Sequence, residues 1–330
     1  MTPRFSGIED DWLDDVEARP RSKAAKKPVL SRAEILPPEA GNGTVTELFP
    51  NRSAVRLDGA ARPALCGYRM STLAFGVAKR ERSPVCVNDR VRVEAGVIVG
   101  RCERRNRLIR PAPNARDPLL HVLAANLDCL VIVAAAREPE FSAGIIDRFL
   151  VAASAQNIPR ILCVNKADLI EPDAARPWSH YPAAGAAVVE TSARDGRGTD
   201  LLAALLRGKV AVFCGQSGVG KTSLLRRLLG DEDYGRTGAV NEKSGKGRHT
   251  TSGAALIPGP GGSSLIDTPG VMNFGLIDVA PGGLLAHFPE LHAAAAGCGA
   301  ACAHDEEPAC ALRALPRYAG YRAIRSTLAS

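Results

Sequence analysis

Chemistry is concentrated in the run Gly215-Gln216-Ser217-Gly218-Val219-Gly220-Lys221-Thr222-Ser223. Glycines at this spacing let backbone N–H groups converge on phosphate oxygens, and a helix N-terminus behind them adds partial positive charge. Lys221 supplies a cation for the β and γ phosphates, which makes it a candidate catalytic group. The Thr222 hydroxyl supplies a ligand for Mg²⁺. The flanks fit this use. Residues 209–213 read as a buried strand, and 221–229 as an amphipathic helix. By itself the run specifies a nucleoside triphosphate and leaves the base open.

A second run names the base. Asn165-Lys166-Ala167-Asp168 follows the apolar residues 161–164. The Asp168 carboxylate can accept two hydrogen bonds from guanine N1–H and N2–H₂. Adenine has no such pair of donors and would leave a buried charge unpaired. Asn165 can either bond the base or tie the phosphate loop in place, and the Lys166 stem can cover the purine face. Thr191-Ser192-Ala193 follows a further strand at 186–189. It is similar to loops whose backbone N–H backs guanine O6, so Ser192 and Ala193 join the candidate site for GTP and GDP.

Asp267-Thr268-Pro269-Gly270 ends another short strand. Asp267 is suited to hold Mg²⁺ through water, and the Gly270 N–H to sense the γ-phosphate. Val271 stands where many GTPases carry the Gln that orients water, and an apolar side chain cannot do that work. The Gly- and Lys-rich stretch 238–252 is suited to a first switch, in which Thr250 or Thr251 closes on Mg²⁺. His249 is its polar candidate for positioning water. The order of these motifs is inverted. In an ordinary small GTPase the phosphate loop comes first and the base-reading motif near the end. Here the chain has been cut and rejoined, so a circularly permuted GTPase domain is expected.

Near the C-terminus, Cys298, Cys302, His304 and Cys310 read C-x3-C-x-H-x5-C. Three thiolates and one imidazole make a closed tetrahedral set suited to one structural Zn²⁺, with no open position for a reacting water. Metal binding would then supply folding energy to an element with little core of its own.

The remaining residues must position these groups. At 330 residues the chain can hold two or three modest domains. With only 5% aromatics, its cores must rely on Leu, Val, Ile and Ala. Nine cysteines, an odd number, argue against a disulfide framework; those outside the cluster, such as Cys66, Cys129 and Cys163, read as core residues. No apolar run approaches the roughly 20 residues of a membrane helix, and the N-terminus lacks an apolar signal core. A cytoplasmic monomer without membrane contact is expected. The net charge of +7 suits an RNA partner without requiring one. Residues 1–40 carry an acidic then a basic stretch without periodicity, which reads as a disordered tail. Residues 41–111 carry short β runs at 44–49, 53–57, 64–70, 85–87, 90–93 and 97–101, separated by turn residues, as in a small all-β barrel. Its later half presents Arg90, Arg92, Arg101, Arg104, Arg105, Arg107 and Arg110, a basic stripe of the kind that reads RNA. Residues 112–276 alternate strands and helices, including a helix from Ser142 to about Ala155 with Ile145, Ile146, Phe149 and Leu150 on one face. Residues 277–330 hold the zinc ligands and a helix-like tail at 312–328 bearing Arg313, Arg317, Arg322 and Arg325.

Taken as a set and in this order, the basic barrel, NKAD, TSA, GQSGVGKTS, GRHTTS, DTPG and the Cys₃His ligands resemble the ribosome small-subunit-dependent GTPase A family. The resemblance covers nearly everything from residue 41 onward. It implies an OB-type barrel that docks on ribosomal RNA, a circularly permuted α/β P-loop GTPase domain and a C-terminal zinc-binding helical element. It implies GTP hydrolysis with Mg²⁺, stimulated by the small (30S) ribosomal subunit during late maturation. It maps the family's His beside the switch threonines onto His249, in a catalytic role. Two departures stand out: the loop from Cys298 to Cys302 is one residue shorter than the family pattern, and Ser252 replaces the third Thr of the switch run. The competing expectation is an RNA-docking factor that uses GTP only as a conformational ligand, with negligible hydrolysis.

Overall fold

The computed structural model describes residues 35–67, 81, 83–111, 120–235, 254–268, 276 and 278–329, and all structural statements concern these. Residues 1–34 of the expected tail and residues 68–70 of an expected strand lie outside them.

The first part is a closed barrel. A short β1 (Ile35–Leu36) leads into β2 (Gly43–Phe49), β3 (Arg52–Leu57), β4 (Ala64–Gly67), β5 (Arg90–Glu94) and β6 (Val97–Cys102). Strand β2 pairs antiparallel with β3, β3 antiparallel with β4, β4 parallel with β6, β6 antiparallel with β5, and β5 antiparallel with β2. The ring therefore closes in the order of an OB fold. Alternation along each strand sends Val45, Val55, Cys66, Val91, Val93 and Ile98 inward, and these small branched residues fill the interior. Strand β1 pairs with β6 through Ile35 and Leu36, so barrel structure begins before residue 41, where the sequence placed the end of the tail. The strand expected at 85–87 does not form, and Val87 makes only an isolated bridge to Ala124. The Cys86 N–H instead donates to Asp89 Oδ2 at 2.7 Å, closing a turn after Pro84.

The basic stripe is partly internal. Arg104 is 5% exposed and binds both Asp89 oxygens, at 2.7 Å each, and Glu81 at 3.0 Å. Arg107 also reaches Glu81, at 3.2 Å. Arg101 is buried, while Arg90 pairs with Asp58, Arg92 with Glu94 and Arg105 with Asp128. Arg101 and Arg104 are interior groups of the fold, whereas Arg92 and Arg105 remain exposed at the surface. A sequence shows that arginines cluster but not which carboxylates the fold brings to them.

β7 (Arg107–Pro111) and β8 (Leu120–Ala125) pair antiparallel, so the expected boundary at 111/112 falls inside a two-stranded ribbon. The α/β part follows as β9 (Cys129–Ala135), α1 (Ala143–Ala155), β10 (Arg160–Asn165), β11 (Ala186–Glu190), α2 (Thr199–Leu206), β12 (Val210–Gly215), α3 (Lys221–Leu229), β13 (Ala255–Pro258) and β14 (Ser264–Asp267). In space the strands run β13-β14-β12-β9-β10-β11, all parallel from β14 onward, with β13 antiparallel at the edge. Both faces are covered, which is why β9 and β12 are apolar along their whole length and polar residues fall at the ends of β10, β11 and β14. Leu130, Ile132, Leu162, Val164, Val212 and Cys214 point to the face carrying α1. Val131, Val133, Ile161, Cys163, Ala211 and Phe213 point to the face carrying α2 and α3. Burial pushes the thiols of Cys129 and Cys163 up to about 11 and about 12, so both remain protonated core residues. Ser142 occupies the N-cap of α1, but its hydroxyl makes no cap bond, and Ile145 is only half-buried. Strand β13 also pairs with β2 through Ala255 and Glu47, which joins the barrel to the edge of the central sheet.

The C-terminal part adds α4 (Pro289–Ala294) and α5 (Tyr318–Ala329). The helix expected over 312–328 is interrupted. A 3₁₀ turn covers Ala311–Ala314, Leu315 is extended, and α5 begins only after Pro316. Proline has no N–H to donate and disfavours helical geometry in the residue before it. Leu284, Phe288, Leu291, Leu312, Tyr321 and Ile324 join the same core as α1. At its centre Arg317 donates to Asp147 Oδ1 at 2.7 Å and to Glu290 Oε1 at 2.8 Å, with its guanidinium 4.4 Å from the Phe288 ring. Burial raises the Asp147 carboxyl despite Arg317 beside it, so desolvation outweighs the pairing. Arg322 pairs with Asp305 and Glu306, Arg325 donates to the Ala303 carbonyl and Arg313 to the Glu306 carbonyl. The expected basic tail is thus folded against the cysteine-bearing loop.

Candidate nucleotide site and metal cluster

The parallel strands deliver every described motif to one edge. The phosphate loop leaves the carboxyl end of β12, Asn165 ends β10, Thr191-Ser192-Ala193 follows β11, and Asp267 ends β14 opposite Phe213. Ligands of open α/β sheets bind at this edge, where the strand order reverses.

Within the phosphate loop the backbone dictates glycine. Gly215 has φ +157°, and a Cβ there would lie 2.3 Å from the Val133 carbonyl oxygen; Gly220 has φ +86°, and a Cβ would lie 2.4 Å from Asn165 Nδ2. Helix α3 starts immediately after, with the Leu224 N–H bonding Gly220 O at 2.9 Å. Gln216, Ser217, Gly218, Val219 and Ser223 lie within this loop and first turn.

Asn165 ties the phosphate loop in place, one of the two roles open from the sequence. It is 1% exposed, and its Nδ2 donates to the Val219 carbonyl at 2.9 Å. Its Oδ1 accepts from the Ala193 N–H at 3.1 Å and the Thr191 hydroxyl at 3.3 Å. The amide joins the phosphate loop to the loop after β11, across 54 residues of chain. Asp168 lies at the rim of this set. Its Oδ1 accepts from the Ser192 hydroxyl at 2.7 Å, and Oδ2 lies 3.9 Å from exposed Arg194. A carboxylate so placed still has lone pairs for two base N–H groups. Lys166, at φ +60°, donates to the Glu138 carbonyl.

At the phosphate end, Lys221 Nζ pairs with Asp267 Oδ1, and the Tyr234 hydroxyl donates to Asp267 Oδ2 at 3.0 Å. The Thr268 hydroxyl donates to Phe213 O at 2.7 Å, anchoring β14 to the base of the phosphate loop. Lys221 and Asp267 thus sit together, with Thr222 next to Lys221 in the first turn of α3. A hydroxyl and a carboxylate are hard oxygen donors of the kind Mg²⁺ takes. His249, Thr250, Thr251 and Gly270 lie outside the described residues. Tyr234 and Glu138 were not found by sequence reasoning, because neither belongs to a motif and each reaches the site through a turn.

Cys298, Cys302, His304 and Cys310 converge as their spacing implied, with their ligand atoms all within 4.8 Å of one another. Cys298 and Cys310 sulfurs are 4.0 Å apart, and His304 Nδ1 lies 3.5 Å from Cys302 Sγ and 3.8 Å from Cys310 Sγ. A tetrahedral Zn²⁺ with bonds of about 2.3 Å to sulfur sets ligand separations of about 3.8 Å, so the set fits this metal. The Ala311 N–H donates to Cys298 Sγ at 3.3 Å, as a supporting bond to a thiolate would. The shortened loop does not prevent convergence. Among the described residues no helix is long and apolar enough to cross a membrane.

Comparison with known proteins agrees with this geometry. Residues 101–277 match the family model described as RsgA GTPase. The chain is 43% identical over 246 residues to a protein of Azotobacter vinelandii named small ribosomal subunit biogenesis GTPase RsgA, covering 71% of this chain and 70% of that protein. A protein of the same name from Marinobacter nauticus is 42% identical over 228 residues, covering 67% of this chain and 64% of its own length. The match thus spans just under two thirds of that relative's length. The crystal structure of YjeQ from Thermotoga maritima superposes with a TM-score of 0.65 at 27% identity, covering 87% of this chain and 98% of that one. YloQ, whose structure is described as a circularly permuted GTPase, superposes at 0.60 with 25% identity, covering 87% and 94%. Five barrel strands, a permuted nucleotide fold and a Cys₃His cluster recur in sequence and in space, and this chain belongs to the RsgA GTPase family.

Proposed function

We propose that this chain hydrolyses GTP to GDP and phosphate on the small ribosomal subunit and assists that subunit's late maturation. The observation that carries the reading is the Asn165 amide, which makes the phosphate loop and the guanine-facing loops one site. The names of the relatives, small ribosomal subunit biogenesis GTPase, supply the partner. In this reading Asp168 accepts from guanine N1–H and N2–H₂, and the Lys166 stem covers the base. Lys221 leaves Asp267 for the β and γ phosphates. Thr222 and Asp267 would hold Mg²⁺, which supplies neutralisation of the phosphate charge. Gly270 would face the γ-phosphate, one of Thr250 and Thr251 would help hold the metal, and His249 would position water. Cys298, Cys302, His304 and Cys310 hold one structural Zn²⁺, supported by their convergence.

The barrel's RNA-facing surface moves from the arginine stripe to the outer row of β2, β3, β4 and β6. Phe49, Arg52, Gly67 and Val97 are register partners in that row, with exposed Leu65 beside them. An aromatic ring and a guanidinium on one open face suit stacking on unpaired bases.

Steady-state GTP hydrolysis with and without purified small subunits tests the reading. Stimulation of about tenfold or more is expected. An unchanged rate rejects it. GTP-dependent cosedimentation with negligible hydrolysis establishes the docking factor instead, a reading favoured by Val271 in place of a water-orienting Gln.

A further inference from the structure

We propose that Tyr234 is a positioning residue for magnesium: its hydroxyl fixes the Asp267 carboxylate so that one oxygen is released for the ion's water shell when nucleotide binds. The inference rests on the reading of Thr222 as a magnesium ligand and of Asp267 as the carboxylate that holds the ion through water.

The turn after α3 is built to deliver this hydroxyl. Gly230 ends the helix in the left-handed region at φ +62°, and its N–H returns to the carbonyls of Arg226 and Arg227. Asp231 then organises the turn, with its Oδ1 accepting from the Asp233 N–H at 3.0 Å and its carbonyl from the Tyr234 N–H at 3.3 Å. Arg226 Nε donates to the Tyr234 carbonyl at 2.6 Å. The chain is thereby folded back along α3, and a Cβ on Gly235 would lie 2.7 Å from Thr222 Cγ2. The half-buried Tyr234 ring packs beside the core beneath α2 and α3, and its hydroxyl meets Asp267 Oδ2 at 3.0 Å.

The consequence follows from how the two oxygens are shared. Lys221 holds Oδ1 and Tyr234 holds Oδ2. When phosphates draw the ammonium away, Oδ1 becomes free to accept from a metal-bound water. The tyrosine keeps the carboxylate plane fixed through Oδ2. Without the hydroxyl, Lys221 can claim both oxygens and the carboxylate can rotate, so the metal must compete with an internal cation on worse terms. Donors to a metal-ligating carboxylate commonly influence metal affinity about 10- to 100-fold.

The test is the magnesium dependence of nucleotide binding, read as the half-saturating Mg²⁺ concentration for a fluorescent, non-hydrolysable GTP analogue. Tyr234→Phe is expected to raise that concentration about tenfold, while affinity measured in EDTA and the melting temperature stay at the unsubstituted values. Arg226→Gln, which releases the turn from α3, is expected to shift it in the same direction. An unchanged or lowered half-saturating concentration in Tyr234→Phe overturns the inference. If the unsubstituted protein itself binds nucleotide independently of Mg²⁺, the ligand reading of Thr222 and Asp267 falls, and the inference with it.

Discussion

Replacing Asn165 with Ala should weaken nucleotide binding without changing which base is preferred. The side chain makes three hydrogen bonds, buried ones with the Val219 carbonyl at 2.9 Å and the Thr191 hydroxyl at 3.3 Å and a part-buried one with the Ala193 N–H at 3.1 Å. Thr191 retains its contact with Cys163 Sγ at 3.2 Å, so two groups lose the partner described for them. A buried donor or acceptor left unsatisfied costs about 1–3 kcal/mol. Two of them give about 2–6 kcal/mol, and the lower figure applies if water enters the vacated space. At 1.4 kcal/mol per factor of ten, about 2 kcal/mol is roughly 30-fold in affinity. The assay is competition binding of GTP, GDP and inosine triphosphate, which lacks the exocyclic amine. With Asn165 tying the loops and the proposed base reading left to Asp168, Asn165→Ala should weaken all three by the same factor. Asp168→Ala should instead compress the preference for GTP over inosine triphosphate. A changed preference in Asn165→Ala would show that its amide reads the base. A loss below about threefold would show that the phosphate loop keeps its shape unaided, and either result refutes the reasoning.

Arg317→Met should destabilise the fold by about 3–5 kcal/mol, because it leaves the buried Asp147 and Glu290 carboxylates without their cation. Urea unfolding measures this, and adding Asp147→Leu should recover part of the loss; a midpoint unmoved by Arg317→Met contradicts the pairing. One zinc per chain is expected by elemental analysis. A strong chelator should lower the melting temperature by about 5 °C or more, because the C-terminal helices share a core with α1. Cys310→Ser should reproduce the effect, and a chelator-insensitive melting curve argues against the metal.

The nucleotide loop, the guanine motif, the Cys₃His spacing and the permuted order are all legible in the order of residues along the chain. So are most strands and the helix at 221–229, where local alternation and the phosphate-loop pattern agree. The misread elements are those where a local capping group or proline, or a distant strand edge, overrode the periodicity of the segment. The apolar run at 85–87 is a turn because the Asp89 side chain captures a backbone N–H. The tail residues Ile35 and Leu36 are strand because β6 offers them an edge. The helix over 312–328 breaks at a proline that periodicity alone had bridged.

Residue types and their spacing along one segment determined the chemistry: which groups can hold phosphate, guanine and a tetrahedral metal. These signals are local, since each motif places its own backbone and donors within a single turn or loop. Only the tertiary structure decided what each charged side chain faces. Arg104 lies against Asp89 and Glu81, Arg317 against Asp147 and Glu290, and Tyr234 against Asp267. It also decided that Asn165 serves the phosphate loop, 54 residues away in the chain. The pairings of Asn165 and Asp267 depend on the sheet order β14-β12-β9-β10-β11, which sets distant strand ends side by side, and those of Arg104 and Arg317 on the packing of the barrel and of the helices; no periodicity within a segment encodes such adjacency.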